Sequence, residues 1–101
     1  MGQPLHIKNN APERIYVEWW TAGSVFKITN YSIEPGQTVS HSEEAVWYDI
    51  YVIFDGIKYG KVVFYGGSEA WWSFDTNGIN AGGPKLAAEV EPNLVYLNLK
   101  D

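Results

Sequence analysis

The sequence predicts an all-β fold: one antiparallel β-sandwich domain, residues 1–101, with about eight or nine short strands. Short runs of β-branched and aromatic residues alternate with polar residues at period two, and Gly, Pro or Asn separates the runs. No stretch shows the apolar stripe of a sustained helix. A flattened β-barrel is the second choice, because evenly spaced short strands fit both architectures.

The N-terminal third of the chain is predicted to contain two strands. Residues 5–8 alternate apolar and polar side chains, and an Asn-rich turn follows them. Residues 15–20 end in two adjacent tryptophans. Because neighbouring residues of a strand point to opposite faces, we expect Trp19 to lie in the core and Trp20 to face outward.

The next two predicted strands flank a turn. In residues 25–31, Phe26 and Ile28 are expected to point inward, in alternation with polar neighbours. Pro followed by Gly at positions 35 and 36 is typical of a type II turn. The polar run 37–42 that follows is expected at a sheet edge.

The strongest local signal is a hairpin centred on Asp55-Gly56, which joins residues 46–54 to residues 57–65. Asp-Gly favours a type I′ turn, since both central residues need a positive φ. An uninterrupted ladder would put Lys61 in the core, so we expect a β-bulge at Gly60.

The C-terminal third is predicted to contain three more strands. A Gly-rich loop precedes residues 70–75, which form another strand. Residues 76–84 are rich in Gly and Asn and are predicted to be irregular. Residues 85–90 and 94–100 close the chain as two strands around a Glu-Pro turn.

The outward face of the central hairpin combines aromatic rings with a carboxylate. The candidate ligand-binding residues are Trp47, Asp49, Tyr51 and Tyr65, with Trp20 and Trp71 as flanking rings. Rings stack on the apolar faces of sugars, and a carboxylate such as Asp49 accepts hydrogen bonds from hydroxyls. The sequence therefore predicts a non-enzymatic, lectin-like carbohydrate-binding module. Its affinity per site is expected to be weak, so we expect a homo-oligomer in which several sites bind together.

Two other functions remain open. The aromatic face could be a homo-oligomeric or inhibitory protein–protein interface, because Trp and Tyr are frequent hot-spot residues. It could also bind membrane lipid headgroups, where these rings favour the interface. Alternatively, a second sheet or subunit covers the face and it has no ligand.

The composition excludes several partners. The net charge of −5 is the wrong sign for nucleic acid. No apolar run approaches the roughly 18 residues that span a bilayer. The chain has no Cys and shows no signal peptide, which favours a cytoplasmic location, with release by a non-classical route as an alternative.

No catalytic, cofactor or metal site is predicted. The segment Ser40-His41-Ser42 lacks the spacing of a triad, and His6 lies on a separate strand. The oxygen-rich segment 75–80 lacks the EF-hand pattern and is expected to form an Asn-Gly turn.

In composition and strand layout the chain resembles the aegerolysins, which recognise membrane lipids, and small sugar-binding lectins. The shared features are a short, acidic, Cys-free and Trp-rich sequence. No motif of either family is present, so the resemblance assigns no site residue.

Overall fold

The computed structural model of the chain describes residues 2–81, and these residues form eight β-strands and no helix. The strands are β1 (Leu5–Asn9), β2 (Ile15–Thr21), β3 (Lys27–Ile33), β4 (Thr38–His41), β5 (Trp47–Phe54), β6 (Ile57–Tyr65), β7 (Ala70–Asp75) and β8 (Gly78–Asn80). The strands predicted at 85–90 and 94–100 lie outside the described residues.

The strands form two four-stranded sheets that pack together as a β-sandwich, which confirms the predicted fold class. The first sheet has the order β4-β1-β7-β8, with β1 and β7 parallel and the other pairs antiparallel. The second sheet has the order β3-β2-β5-β6 and is antiparallel throughout. Within residues 2–81 no ladder joins the sheets, so the architecture is a sandwich rather than a flattened barrel.

The core lies between the sheets and follows the period-two pattern of the strands. Its fully buried side chains are Leu5, Ile7, Ile15, Val17, Trp19, Ile33, Ile50, Val52, Val62, Phe64 and Phe74. Trp19 is the largest of them, and its ring meets Phe64 of the same sheet edge-on at 5.5 Å. As predicted, Trp19 is in the core and Trp20 is on the outer face.

The central hairpin forms as the sequence predicts. Asp55 and Gly56 both have positive φ, and Phe54 pairs with Ile57. The register shifts between Ile50 and Val52, opposite Gly60, which confirms the predicted bulge. The shift keeps Lys61 out of the core, so its ammonium group stays accessible to solvent.

Two local expectations are wrong. Phe26 and Ile28 do not point inward: Phe26 is 70% exposed and Ile28 is also exposed. The reason is the register with β2: the core residues Val17 and Trp19 pair with Tyr31 and Thr29, so the odd-numbered residues of β3 face inward, Ile28 faces outward, and Phe26 lies in the connection before β3. Residues 76–84 are not wholly irregular either, because β8 pairs with β7.

Candidate functional site

The outer face of the second sheet carries four of the predicted ring residues in two pairs. Trp47 pairs with Tyr65 across β5 and β6, and their ring centroids are 4.8 Å apart at an interplanar angle of 40°. Trp20 and Tyr51 meet edge-on at 6.4 Å and 81°. All four rings are half-buried. The rings within each pair are strongly inclined to one another, so they do not form the flat platform that the sequence suggested.

Asp49 lies on this face but is only 2% exposed, which corrects its predicted role as an exposed acceptor. Ser24 donates its hydroxyl hydrogen to Oδ2 of Asp49 at 2.8 Å. Tyr51 then donates to Ser24, with 2.7 Å between the two oxygens. Lys61 Nζ is 3.8 Å from the same carboxylate oxygen. The turn that holds Ser24 therefore occupies the carboxylate, and a ligand hydroxyl cannot reach it without displacing these groups.

An ionic network lies against the Trp20–Tyr51 pair. Lys58 Nζ lies 5.0 Å from the ring centroid of Tyr51 and 3.2 Å from Glu18. Trp20 donates its indole hydrogen to Glu18 at 2.9 Å. Burial raises the pKa of Glu18, but the hydrogen bonds from Trp20 and Lys58 and the charges of Lys58 and Lys27 outweigh it, so the pKa is lowered. The polar partners of these rings are thus already supplied by the chain.

Trp71, predicted as a flanking ring, belongs to β7 of the first sheet and lies on the opposite side of the sandwich. It is 65% exposed. One face of its indole stacks on His6, with the centroids 3.7 Å apart and the planes at 16°. The six predicted residues therefore do not form one site, because the structure separates Trp71 from the other five.

Two cross-strand rows define the outer face of the first sheet. In one row, Ser40 of β4, His6 of β1 and Trp71 of β7 are register partners. The next row crosses all four strands and consists of Thr38, Lys8, Ser73 and Asn80. We call these four residues the polar row. Side chains at such positions project from the same face, so the polar row lies beside the ring of Trp71.

The polar row and Trp71 line a groove of about 350 Å³, to which the mostly buried Trp72 also contributes. Within residues 2–81, no side chain of the polar row has a hydrogen bond or ion pair. Every other lysine and arginine in that range lies within 4.0 Å of a carboxylate oxygen, but Lys8 does not. In the part of the chain that the structure describes, this face thus carries two hydroxyls, an amide and an ammonium group without a side-chain partner.

The row that contains Ser40, His6 and Trp71 is held by short hydrogen bonds. His6 is almost buried, with Nδ1 2.5 Å from Ser40 Oγ and Nε2 2.6 Å from Glu69 Oε2. Glu69 precedes β7 by one residue. These contacts fix the imidazole, and the imidazole in turn supports one face of the Trp71 ring.

One end of the second sheet exposes apolar side chains. Val25, Phe26, Ile28 and Val46, which we call the apolar end, are all exposed. A groove of about 590 Å³ lined partly by Ile28, Val46 and Trp47 lies at the same end. Backbone bonds between Thr21 and Phe26 and between Ser24 and Thr21 close the turn beneath it.

The sequence did not single out the polar row or Ser40 as a site. Alternation alone indicates that Lys8, Thr38 and Ser73 face outward, but these residues are far apart in the chain. Their adjacency depends on the parallel pairing of β1 with β7, and no local signal predicts that pairing. Among residues 2–81 no group of three His, Cys, Asp or Glu side chains is arranged to hold a metal ion. No helix in that range could cross a membrane.

No protein-family model matches the sequence, and no curated protein matches it. Among solved structures, the crystal structure of the protein elicitor MoHrip2 from Magnaporthe oryzae is similar to part of the chain, with a TM-score of 0.45 and 18% sequence identity. The similarity covers 57% of this chain and 48% of that one, so this chain spans about half of that protein's length.

Proposed function

We propose that this chain is a saccharide-binding module whose ligand lies on the outer face of the first sheet. The observation that carries the proposal is the register that places the polar row beside the exposed ring of Trp71. Sugar-binding sites need an apolar plane for the C–H face of the ring and polar groups for its hydroxyls. The groove along the polar row supplies both within one surface.

Trp71 supplies the apolar plane. Its indole is supported on one side by His6, and His6 is held by Ser40 and Glu69. Such a ring loses little conformational freedom when a ligand stacks on it, because it is already held in place. Its large exposed fraction leaves area for that contact.

The polar row supplies the hydrogen-bonding groups. Thr38 and Ser73 can each donate and accept, Asn80 offers both an amide hydrogen and a carbonyl oxygen, and Lys8 donates. A saccharide hydroxyl also donates and accepts, so this mixture is complementary to it. Because these side chains have no partners among residues 2–81, binding does not first require breaking a protein hydrogen bond there.

The Trp20–Tyr51 pair of the second sheet is a weaker candidate for sugar stacking. Trp20 and Tyr51 are inclined at 81°, and Lys58 stands over both rings. A sugar would have to displace an ammonium group that is already paired with Glu18. That displacement costs cation–π and ion-pair energy that binding at Trp71 does not cost.

A glycan array probed with two matched variants tests the proposal. Trp71→Ala is expected to abolish the array signal, whereas Trp47→Ala is expected to keep it, and circular dichroism checks that both variants fold. Fluorescence titration of the wild type with the best saccharide confirms binding in solution. No array signal for the wild type, or a signal that survives Trp71→Ala and disappears in Trp47→Ala, would refute the proposal.

The apolar end favours a second candidate function, self-association of two copies. Four neighbouring exposed apolar side chains are unusual on a monomer surface and are typical of contact patches. Light scattering should then report a dimer that dissociates in Phe26→Ser. A monomeric wild type at high protein concentration argues against this candidate and leaves the saccharide proposal intact.

A further inference from the structure

We infer that Ser40 is an activated nucleophile, with His6 as its general base and Glu69 as the positioning residue of that base, and that it reacts with small acyl esters. This inference goes beyond saccharide binding and does not depend on it. It also revises the expectation from sequence that the chain has no catalytic group. The observation behind it is a continuous chain of hydrogen bonds from Ser40 through His6 to Glu69.

The strand register explains why these groups meet. Asn9 N donates to Gln37 O, so alternate residues of β1 turn their backbone groups toward β4. His6 and Ser40 are therefore a non-hydrogen-bonded pair, the type in which facing side chains come closest. Glu69 reaches the other side of the imidazole from the loop that precedes β7.

The hydrogen-bond chain fixes the position of the protons. A carboxylate only accepts, so His6 Nε2 carries the hydrogen that it donates to Glu69. In the neutral imidazole Nδ1 then has a free lone pair, and it accepts the hydroxyl hydrogen of Ser40. This is the arrangement of nucleophile, base and orienting acid that activates serine, with the two ring nitrogens exchanged relative to the common form.

The proposed reaction is acyl transfer followed by hydrolysis. Ser40 Oγ forms a bond to the ester carbonyl carbon while His6 Nδ1 takes the hydroxyl proton. The C–O bond to the leaving alcohol breaks, and His6 returns the proton to that oxygen. Water then attacks the acyl group on Ser40 with the same proton transfers, which releases the acid and restores the hydroxyl.

The surroundings set the class of ester. The backbone N–H of Ser40 points away from β1, and within residues 2–81 no strand lies beyond β4. That N–H can donate to the developing oxyanion. The nearby groove, which Trp71, Trp72 and the polar row line, is open and shallow, so short acyl groups such as acetyl fit better than long chains.

The direct test is labelling of the wild-type protein with a fluorophosphonate and mapping of the adduct by mass spectrometry. Ser40 Oγ is expected to bond to phosphorus with loss of fluoride, and the same protein should hydrolyse p-nitrophenyl acetate. His6→Gln should slow labelling by about 100-fold, the lower end of the range for general-base catalysis. Glu69→Gln should also slow it, while Glu69→Asp, which keeps the carboxylate, should restore most of the rate.

The chain contains a matched control. His41 Nε2 lies 2.6 Å from Glu43 Oε2, the same type of pair, and within the described residues no serine hydroxyl bonds to His41. His41→Gln and Ser42→Ala should leave labelling unchanged. The inference is overturned if the wild type is not labelled, if the adduct maps to another residue, or if folded His6→Gln is labelled as fast as the wild type.

Discussion

Replacing Asn9 with Ala is expected to lower the free energy of unfolding by about 3 kcal/mol. Asn9 is fully buried at the end of β1. Its Nδ2 donates to the carbonyl oxygens of Glu13 at 2.8 Å and Ile33 at 2.9 Å, and its Oδ1 accepts from the Ala11 N–H at 2.8 Å. Three hydrogen bonds at about 1 kcal/mol each give the total.

Thermal unfolding followed by circular dichroism measures this loss. At about 5 °C per kcal/mol for a domain of this size, the midpoint should fall by about 15 °C. Asn10→Ala is the matched control, because Asn10 is exposed and its side chain has no hydrogen bond within residues 2–81. Asn10→Ala should change the free energy of unfolding by no more than about 0.5 kcal/mol. If Asn9→Ala shifts the midpoint no more than Asn10→Ala, the three bonds do not stabilise the fold as argued.

Three further predictions concern ionisation and packing. The folded pKa of Glu18 lies below its unfolded value of 4.5, so the stabilisation by its charge is present above pH 4.5 and is lost as the pH falls through the folded value. Glu18→Gln should therefore destabilise the protein at neutral pH but not in strong acid. Urea unfolding at the two pH values measures this difference. An equal loss of stability at both would show that the charge of Glu18 does not stabilise the fold. Burial raises the pKa of Tyr31 from 10.0 to about 12, so its contribution to stability is complete below pH 10 and is lost as the pH rises through 12. Absorbance titration should show a late tyrosinate step that is missing in Tyr31→Phe. A titration curve that Tyr31→Phe leaves unchanged would refute the raised pKa of Tyr31. Gly66→Ala should destabilise by about 1–3 kcal/mol in urea unfolding, because its Cβ would lie 2.3 Å from the backbone oxygen of Glu44; wild-type stability would show that the backbone can move there.

The central hairpin of the second sheet could be predicted from sequence because its signals are local. The Asp55-Gly56 turn sets the register of β5 and β6, and the apolar positions on either side of it agree with that register. The cost of burying Lys61 predicts the bulge at Gly60. The division of Trp19 and Trp20 between two faces follows from alternation alone.

The candidate site could not be predicted because its neighbours are distant in sequence. His6 and Trp71 meet only through the parallel pairing of β1 and β7, which alternation does not specify. The burial of Asp49 likewise depends on a residue distant in sequence: Ser24, in the turn after β2, donates a hydrogen bond to its carboxylate. The exposure of Phe26 and Ile28 depends on the register of β3 with β2, which the sequence pattern does not indicate.

The most direct test of the account is to map a bound saccharide by nuclear magnetic resonance, using the sugar with the strongest array signal. Shift changes are expected to centre on Trp71 and on the amides of Lys8, Thr38 and Ser73, with the indole resonance of Trp71 moving most. Shift changes centred instead on Trp20, Trp47 and their neighbours would place the ligand on the second sheet and contradict the account.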